Sequence, residues 1–448
     1  MYLCAVALHW RVCIRFRGCE NLMHQLTINK LGPIQCCDLQ IQQYTVLTGF
    51  QASGKSTIAK AIYFFRTLKD DLYGLILRRE YCVPGQNADG RRSLCSDFER
   101  FVRSKFLSTF GSSYSMDPNM QLRYQYNENA GIAIRLTEGR DSLTPNFVWV
   151  EYSPKIRDFL NASLIADSQE DLKRELAALF DDPYETVYIP AGRSVLTVLG
   201  GQFNYFYSTM DDAQKRLLDA CTRDYLERVM RLRPQFANGL EGIAEGRELT
   251  EVQKDLYRKA LALVQRILKG KYTVSDGEER IWVNDSHYVK INFASSGQQE
   301  SVWILNLLVY YLVMEQPVFF IIEEPESNLF PESQKLIVEL ISLVAGAGNA
   351  VLLTTHSPYV LGTVNNLLYA NAIGKLSAEK TAQIVSPSKW IDSAACTALF
   401  VRNGRADDCM DRELMQIDNS LLDEISHGIN KEYDELFAIE QQADEGDA

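Results

Sequence analysis

The sequence predicts an α/β fold built on a mixed sheet, and three observations carry that prediction. "TGFQASGKST" (48–57) matches G-x-x-x-x-G-K-[ST] between an apolar strand pattern and a helical one. "PVFFIIEE" (317–324) and "AVLLTTHSP" (350–358) are short buried-strand runs alternating with helical patterns, as parallel strands with right-handed crossovers require. "LRYQYNE", "GIAIRLTE" and "NFVWVEYS", within 121–153, alternate and are separated by turn residues, which points to an antiparallel lobe.

Residues 24–70 read as two strands, the glycine-rich loop and a helix with Ile58, Ile62, Phe65 and Leu68 on one stripe. Residues 71–105 are less regular. Segment 77–105 carries seven Arg/Lys against four acids and reads as a solvated surface connection, with a DNA-facing loop as the alternative. After the 121–153 strands, "ETVYIPAGRSVL" (185–196) is a strand ending in a Pro/Gly break. Its Arg193 either approaches a nucleotide or caps a helix. Residues 208–269 form two helices. The first ends before Pro234. The second starts at Thr250 in a T-E-V-Q capping box, with a Val252, Leu256, Ala260, Leu263 and Ile267 stripe and a stop at Gly270. Two or three strands follow. Then come a buried helix (303–313), the 317–324 strand, a helix with Pro331 in its first turn, the 350–358 strand, a hairpin (398–408) and a helical segment (412–440).

Composition bounds the rest. With 448 residues and 46% hydrophobic content the chain is globular. A net charge of −12 excludes nucleic-acid binding by the whole surface, so any DNA contact needs a local basic patch. Ten cysteines without a C-x-x-C pair and five scattered histidines give no metal spacing; they read as reduced thiols in a cytoplasmic protein. No run of about 18 apolar residues marks a membrane span. Residues 1–22 carry their basic residues after the apolar stretch, unlike a signal peptide, and are expected to be a non-native or disordered extension.

Loop chemistry gives the first site residues. The backbone of Gly49, Phe50, Gln51, Ala52, Ser53, Gly54, Lys55, Ser56 and Thr57 would cradle phosphates at a helix N-terminus. Lys55 would reach the β- and γ-phosphates of ATP, and the Ser56 hydroxyl would ligate Mg²⁺. Four further segments follow in order: "ASSGQQE" (294–300), "FFIIEEPE" (319–326), "SNLFP" (327–331) and "LLTTHSP" (352–358). Acids at a strand end suit a metal and an attacking water: Glu323 as metal ligand, Glu324 as general base. His356 at the next strand end can hydrogen-bond a γ-phosphate.

This ordered set resembles the ABC-type ATPase head of the SMC, RecF and SbcC type, and more closely the ATPase portion of the OLD nuclease group. The resemblance covers residues 24–70 and 275–360. It implies a P-loop NTPase core at 23–70 and 275–395. It also implies an inserted β-containing lobe (71–205), an inserted helical hairpin (206–274) and a C-terminal hairpin and helix with an acidic tail (396–448). The family signature L-S-G-G-Q falls on Ala294, Ser295, Ser296, Gly297 and Gln298. The usual Walker B aspartate is Glu323 here, and the D-loop aspartate of transporters falls near Phe330. For the family's Q-loop glutamine, Gln86 and Gln125 are the candidates.

The resemblance further implies two heads packed head to tail, with ATP on one loop touched by Ser295, Gly297 and Gln298 of the second copy. It implies a homodimer or higher homo-oligomer serving a separate effector, a nuclease or toxin-like protein, in bacterial defence against phage. No nuclease acid set follows His356. A RecF-like repair ATPase that binds DNA directly is the alternative reading. A small-molecule kinase and a transporter's nucleotide domain fit the joint motif set poorly.

Overall fold

The computed structural model describes residues 24–78, 93–137, 147–162, 168–199, 202–215, 218–275, 277–314, 316–418, 428 and 430–437. The expected extension 1–22 and the Q-loop candidate Gln86 lie outside them.

One eleven-stranded mixed sheet organises the chain. Its strands are β1 (His24–Leu31), β2 (Ile34–Ile41), β3 (Tyr44–Gly49), β4 (Gln121–Gln125), β5 (Gly131–Thr137), β6 (Phe147–Tyr152), β7 (Glu185–Ile189), a strand at Val318–Glu323, one at Ala350–Thr355, and two at Cys396–Arg402 and Arg405–Asp408. A separate three-stranded sheet uses β8 (Lys271–Ser275), β9 (Glu278–Trp282) and β10 (Tyr288–Lys290). The later strands of the main sheet are therefore β11, β12, β13 and β14, and its order is β6-β5-β4-β1-β2-β14-β13-β3-β12-β11-β7.

Strands β13, β3, β12, β11 and β7 run parallel. Strands β2, β1, β4, β5 and β6 are antiparallel. The halves join where the Gln35 and Cys36 N–H groups donate to Gly404 O at 2.7 and 3.0 Å.

Period-two alternation splits the core into two layers. Phe319, Ile321, Leu352 and Leu47 pack with helix α1 (Lys55–Leu77) and the antiparallel lobe. Phe320, Ile322, Leu353 and Val46 face the other way. There they meet the helices that include α3 (Ala220–Leu232), α4 (Glu251–Leu268), α5 (Ser296–Leu312), α6 (Pro331–Gly346) and α7 (Pro358–Gly374), where α2 is Leu94–Phe110. All four residues of Phe319–Ile322 are fully buried, which explains the unbroken apolar run of β11.

A buried polar network fastens α1 to the sheet. Arg66 donates to Asp182 Oδ1 (2.6 Å) and to His24 Nδ1 (3.0 Å), and its guanidinium lies 4.0 Å from the Phe319 ring centre. His24 Nε2–H donates to Asp181 O (3.2 Å). The ring is thus satisfied while neutral, and burial, with Arg66 next, lowers its pKa to about 4.

Several expectations need correction. Residues 94–110 are a helix, α2, capped by Ser93, with Phe98, Val102 and Phe106 buried at helical spacing. The charged residues interleaved between them masked that stripe. β7, expected in the inserted lobe, pairs with β11 in the parallel half of the sheet. β13, expected in a C-terminal appendage, inserts beside β3 at its centre. The buried helix begins at Ser296 instead of 303. Val252 is exposed, and Tyr257 and Val264 complete the α4 stripe in its place. Within 412–440, residues Gln416–Ile417 pair with Met410–Asp411 as a small ribbon, and helix occurs at 430–437 among the described residues. No helix among the described residues is long and apolar enough to cross a membrane.

Candidate functional site

The parallel strands β3, β11, β12 and β7 bring their C-terminal ends together, and the loops that leave those ends carry the polar side chains. β3 ends at Gly49, whose φ is +137° and whose hypothetical Cβ would lie 2.2 Å from Val401 O. Only glycine fits this close approach to β13. Gly54 (φ +108°) closes the loop against Ile34.

α1 then starts without any side-chain cap. Its first N–H groups have no intrahelical acceptor, the arrangement that binds anions. The Ser53 and Thr48 hydroxyls are buried there without a hydrogen-bond partner. Phe50 and Gln51 are exposed at the loop tip, Ala52 adopts φ +59°, and Thr57 is half-buried.

Lys55 is buried and folds back over the loop, donating to Gly49 O (3.0 Å) and Phe50 O (2.8 Å). Burial lowers its pKa to about 8, against the pull of Glu324, Glu326 and Glu323. Its Nζ also lies 3.3 Å from His356 Nδ1. His356 sits between loop and acids: Nδ1 is 2.8 Å from Gly49 O and Nε2 is 3.0 Å from Glu324 Oε1. With protons on both nitrogens the ring donates to Gly49 and Glu324. Without the Nδ1 proton that nitrogen accepts from Lys55.

The two adjacent glutamates have different environments. Glu323 is 4% exposed. Its Oε2 accepts from Ala191 N–H (3.2 Å) and its Oε1 is buried with no partner. Burial first, and the Glu323 charge next, hold the Tyr188 phenol well above its usual range. Glu324 turns out of the strand with φ +43°, its N–H donating to Thr354 O (3.0 Å). Its carboxylate accepts from His356 and from Ser327 Oγ (3.2 Å), and the His356 hydrogen bond holds its pKa below the ordinary carboxylate value. An orphaned carboxylate oxygen suits a metal, whereas a half-exposed carboxylate aimed by a histidine suits a water.

Magnesium fits the residues present: Glu323 offers the unpartnered Oε1, and Ser56 is exposed at the start of α1. Among the described residues no group of three or more His, Cys, Asp and Glu is placed to hold a metal. A phosphate-loop magnesium needs fewer, because it keeps waters and substrate oxygens.

The roles of three further side chains at the site were not legible in the sequence. Glu326 accepts from Thr355 Oγ1 (2.5 Å) and from the His356 backbone N–H (2.9 Å), fixing the histidine; burial raises its pKa. Arg193, expected to meet a nucleotide or cap a helix, instead lies 1% exposed and donates to carbonyls of Pro190, Glu323, Glu324 and Glu300. Glu300 in turn accepts from the Arg193 and Ser194 N–H groups at 3.0 and 3.3 Å. The acid-rich "EEPE" and the "PAGR" break were visible signals, but their pairing was not. The loop beside Glu323 is 190–193, which contains no glutamine. Gln125 lies in β4 and donates to Asn127 O in its own turn.

The signature segment is not joined to the loop of its own chain by any hydrogen bond among the described residues. Ser295 and Ser296 are exposed, and Ser295 and Gln298 form a capping box at the start of α5. Gln298 Nε2 donates to Leu268 O (2.6 Å). A Cβ on Gly297 would lie 2.6 Å from Asn328 O, so the segment packs on the turn after the acids.

Residues 204–361 match the family model "AAA ATPase domain". That stretch contains the signature segment, both glutamates and His356. No curated protein matches the chain. Among solved structures, the chain is similar to an Smc head bound to the C-terminal winged-helix domain of ScpA, at 12% identity and TM-score 0.41, over 86% of this chain and 95% of that one. It is similar also to an Smc head with an extended coiled coil bound to the C-terminal domain of ScpA from Pyrococcus furiosus, at 12% identity and TM-score 0.38, over 91% and 98%. A third is the SMC head domain from Thermotoga maritima, at 13% identity and TM-score 0.33, over 86% and 97%. The stretch 204–361 is thus similar to an AAA ATPase domain, and the glycine-rich loop at 48–57 lies outside the matched residues.

Proposed function

We propose that this protein hydrolyses ATP between two copies of itself and uses that cycle to control a separate effector. One observation carries the catalytic part. His356 joins the phosphate-loop lysine and the Glu324 carboxylate at the ends of three parallel strands, beside an uncapped helix N-terminus.

Lys55 leaves the loop carbonyls for the β- and γ-phosphates. The free N–H groups of α1 take the phosphate oxygens. Glu324 accepts the proton of the attacking water, and His356 holds that carboxylate and faces the γ-phosphate. Ser56 and Glu323 would hold magnesium, which would supply screening of the charge that develops on the phosphates.

The dimer reading rests on the signature segment. Ser295 and Ser296 are exposed shortly after Phe293 (77% exposed), and Phe330 (75% exposed) follows the Asn328 turn on which Gly297 packs. Two large apolar side chains standing in water beside a polar helix start suit a surface that closes on a second copy. The effector reading, a nuclease or toxin-like partner in defence against phage, is supported by the family resemblance.

The test is the mass in solution with and without Mg·ATP. Glu324→Gln is expected to accumulate as an ATP-loaded dimer, while Ser295→Arg binds ATP and stays monomeric. A specific ATPase activity independent of protein concentration, with Glu324→Gln monomeric in ATP, defeats the dimer reading. Coexpression with the product of the adjacent gene tests the effector: co-elution that follows nucleotide state is expected. Hydrolysis stimulated by DNA with a steep salt slope would replace it by direct DNA binding.

A further inference from the structure

We infer that Arg193 and Glu300 form the clamp that aims Glu324, and that this clamp ties the carboxylate to the signature helix. The inference rests on the reading of Glu324 as general base.

Glu324 is a non-glycine residue with φ +43°, a conformation that persists only where surroundings fix it. Its backbone is fixed from two sides. Thr354 O accepts from its N–H, and Arg193 Nη2 donates to its C=O at 3.0 Å. Arg193 Nη1 holds the preceding carbonyl, that of Glu323, at 2.6 Å. One planar guanidinium therefore spans both peptides of the turn that points Glu324 away from the strand and toward His356. Lysine, a single point of charge on a flexible stem, cannot reproduce that fork.

Glu300 fixes Arg193. Its carboxylate accepts from two backbone N–H groups, its carbonyl accepts from Arg193 Nε at 3.1 Å, and both side chains are buried. Glu300 is on α5, one turn beyond Ser296. Ser301 Oγ donates to Gly297 O at 2.7 Å, so that turn is tied to the signature glycine. Arg193 is buried and its guanidinium donates to backbone carbonyls, so it is a positioning residue.

The experiment measures kcat, ATP affinity and the residual turnover of Glu324→Gln, alone and combined with Arg193→Lys. Arg193→Lys is expected to lower kcat about 10–100-fold, as a misaimed catalytic group does, and to shift the ATP Kd by less than about twofold. In the Glu324→Gln background it should change the residual rate by less than about twofold, because the group it aims is already gone. Glu300→Gln keeps an acceptor oxygen and serves where Arg193→Lys does not fold. It should show the same pattern with a smaller loss. Losses that multiply in the double variant, or a loss confined to ATP affinity, overturn the inference. A parental rate in Glu324→Gln alone defeats the general-base reading itself, and the clamp with it.

Discussion

Glu324→Gln is the substitution that best separates the two adjacent acids. The amide matches the carboxylate in size, and its oxygen can still accept from His356 Nε2 or Ser327 Oγ, the two present partners. What it cannot do is take a proton from water. General-base contributions of about 10²–10⁴-fold set the expected fall in kcat, equivalent to about 3–5 kcal/mol of barrier. Nucleotide affinity should hold or tighten, because one negative charge leaves the neighbourhood of the phosphates and Lys55. Phosphate release under saturating Mg·ATP, paired with equilibrium binding of a fluorescent ATP analogue, reads both quantities. Glu323→Gln should behave differently. It removes the carboxylate whose Oε1 is buried and unpartnered, so its defect should appear in the magnesium dependence of nucleotide binding. Hydrolysis at the parental rate by Glu324→Gln, or a magnesium-binding defect in that variant with none in Glu323→Gln, refutes the assignment.

Two further outcomes follow from charge. Burial brings Lys55 to about 8 in the free protein, and a triphosphate would restore its ordinary basicity. Above pH 8, ATP binding should therefore take up protons, and Lys55→Arg should abolish the uptake. Calorimetry in buffers of different ionisation enthalpy measures it. His24 ordinarily titrates near 6.5 and is lowered to about 4 in the fold, so the unfolded chain binds the extra proton between those values. Stability from the neutral ring is present above pH 6.5 and lost as pH falls toward 4, by about 3 kcal/mol at most. Denaturant titrations from pH 7 to 4 should show this loss for the parent and a shallower one for His24→Gln.

Local motifs were legible because their chemistry is contiguous. Gly49, Gly54, Lys55 and Ser56 fall within eight residues, and their strand-loop-helix context follows from the pattern around them. Glu323, Glu324 and His356 stand at strand ends that apolar runs mark directly. The capping box at Thr250 reads the same way, since its partners are three residues apart. Misreadings began where a partner is distant. The α2 stripe was hidden by interleaved charges, and Val252 was placed inside although the first turn of α4 protrudes.

Sequence alone determined the glycine-rich strand-loop-helix turn, the paired acids at a strand end and the alternation of strands and helices, since each depends on residues within one turn or one strand of each other. Tertiary structure decided that β7 and β13 join the parallel sheet, and that His356 bridges Lys55 and Glu324. It also decided that Arg193, more than 100 residues from Glu324 and Glu300, grips both. Hydrogen bonds of that kind depend on which strands lie side by side. That order is set by the burial of whole faces across the sheet, a property no local stretch of chain contains.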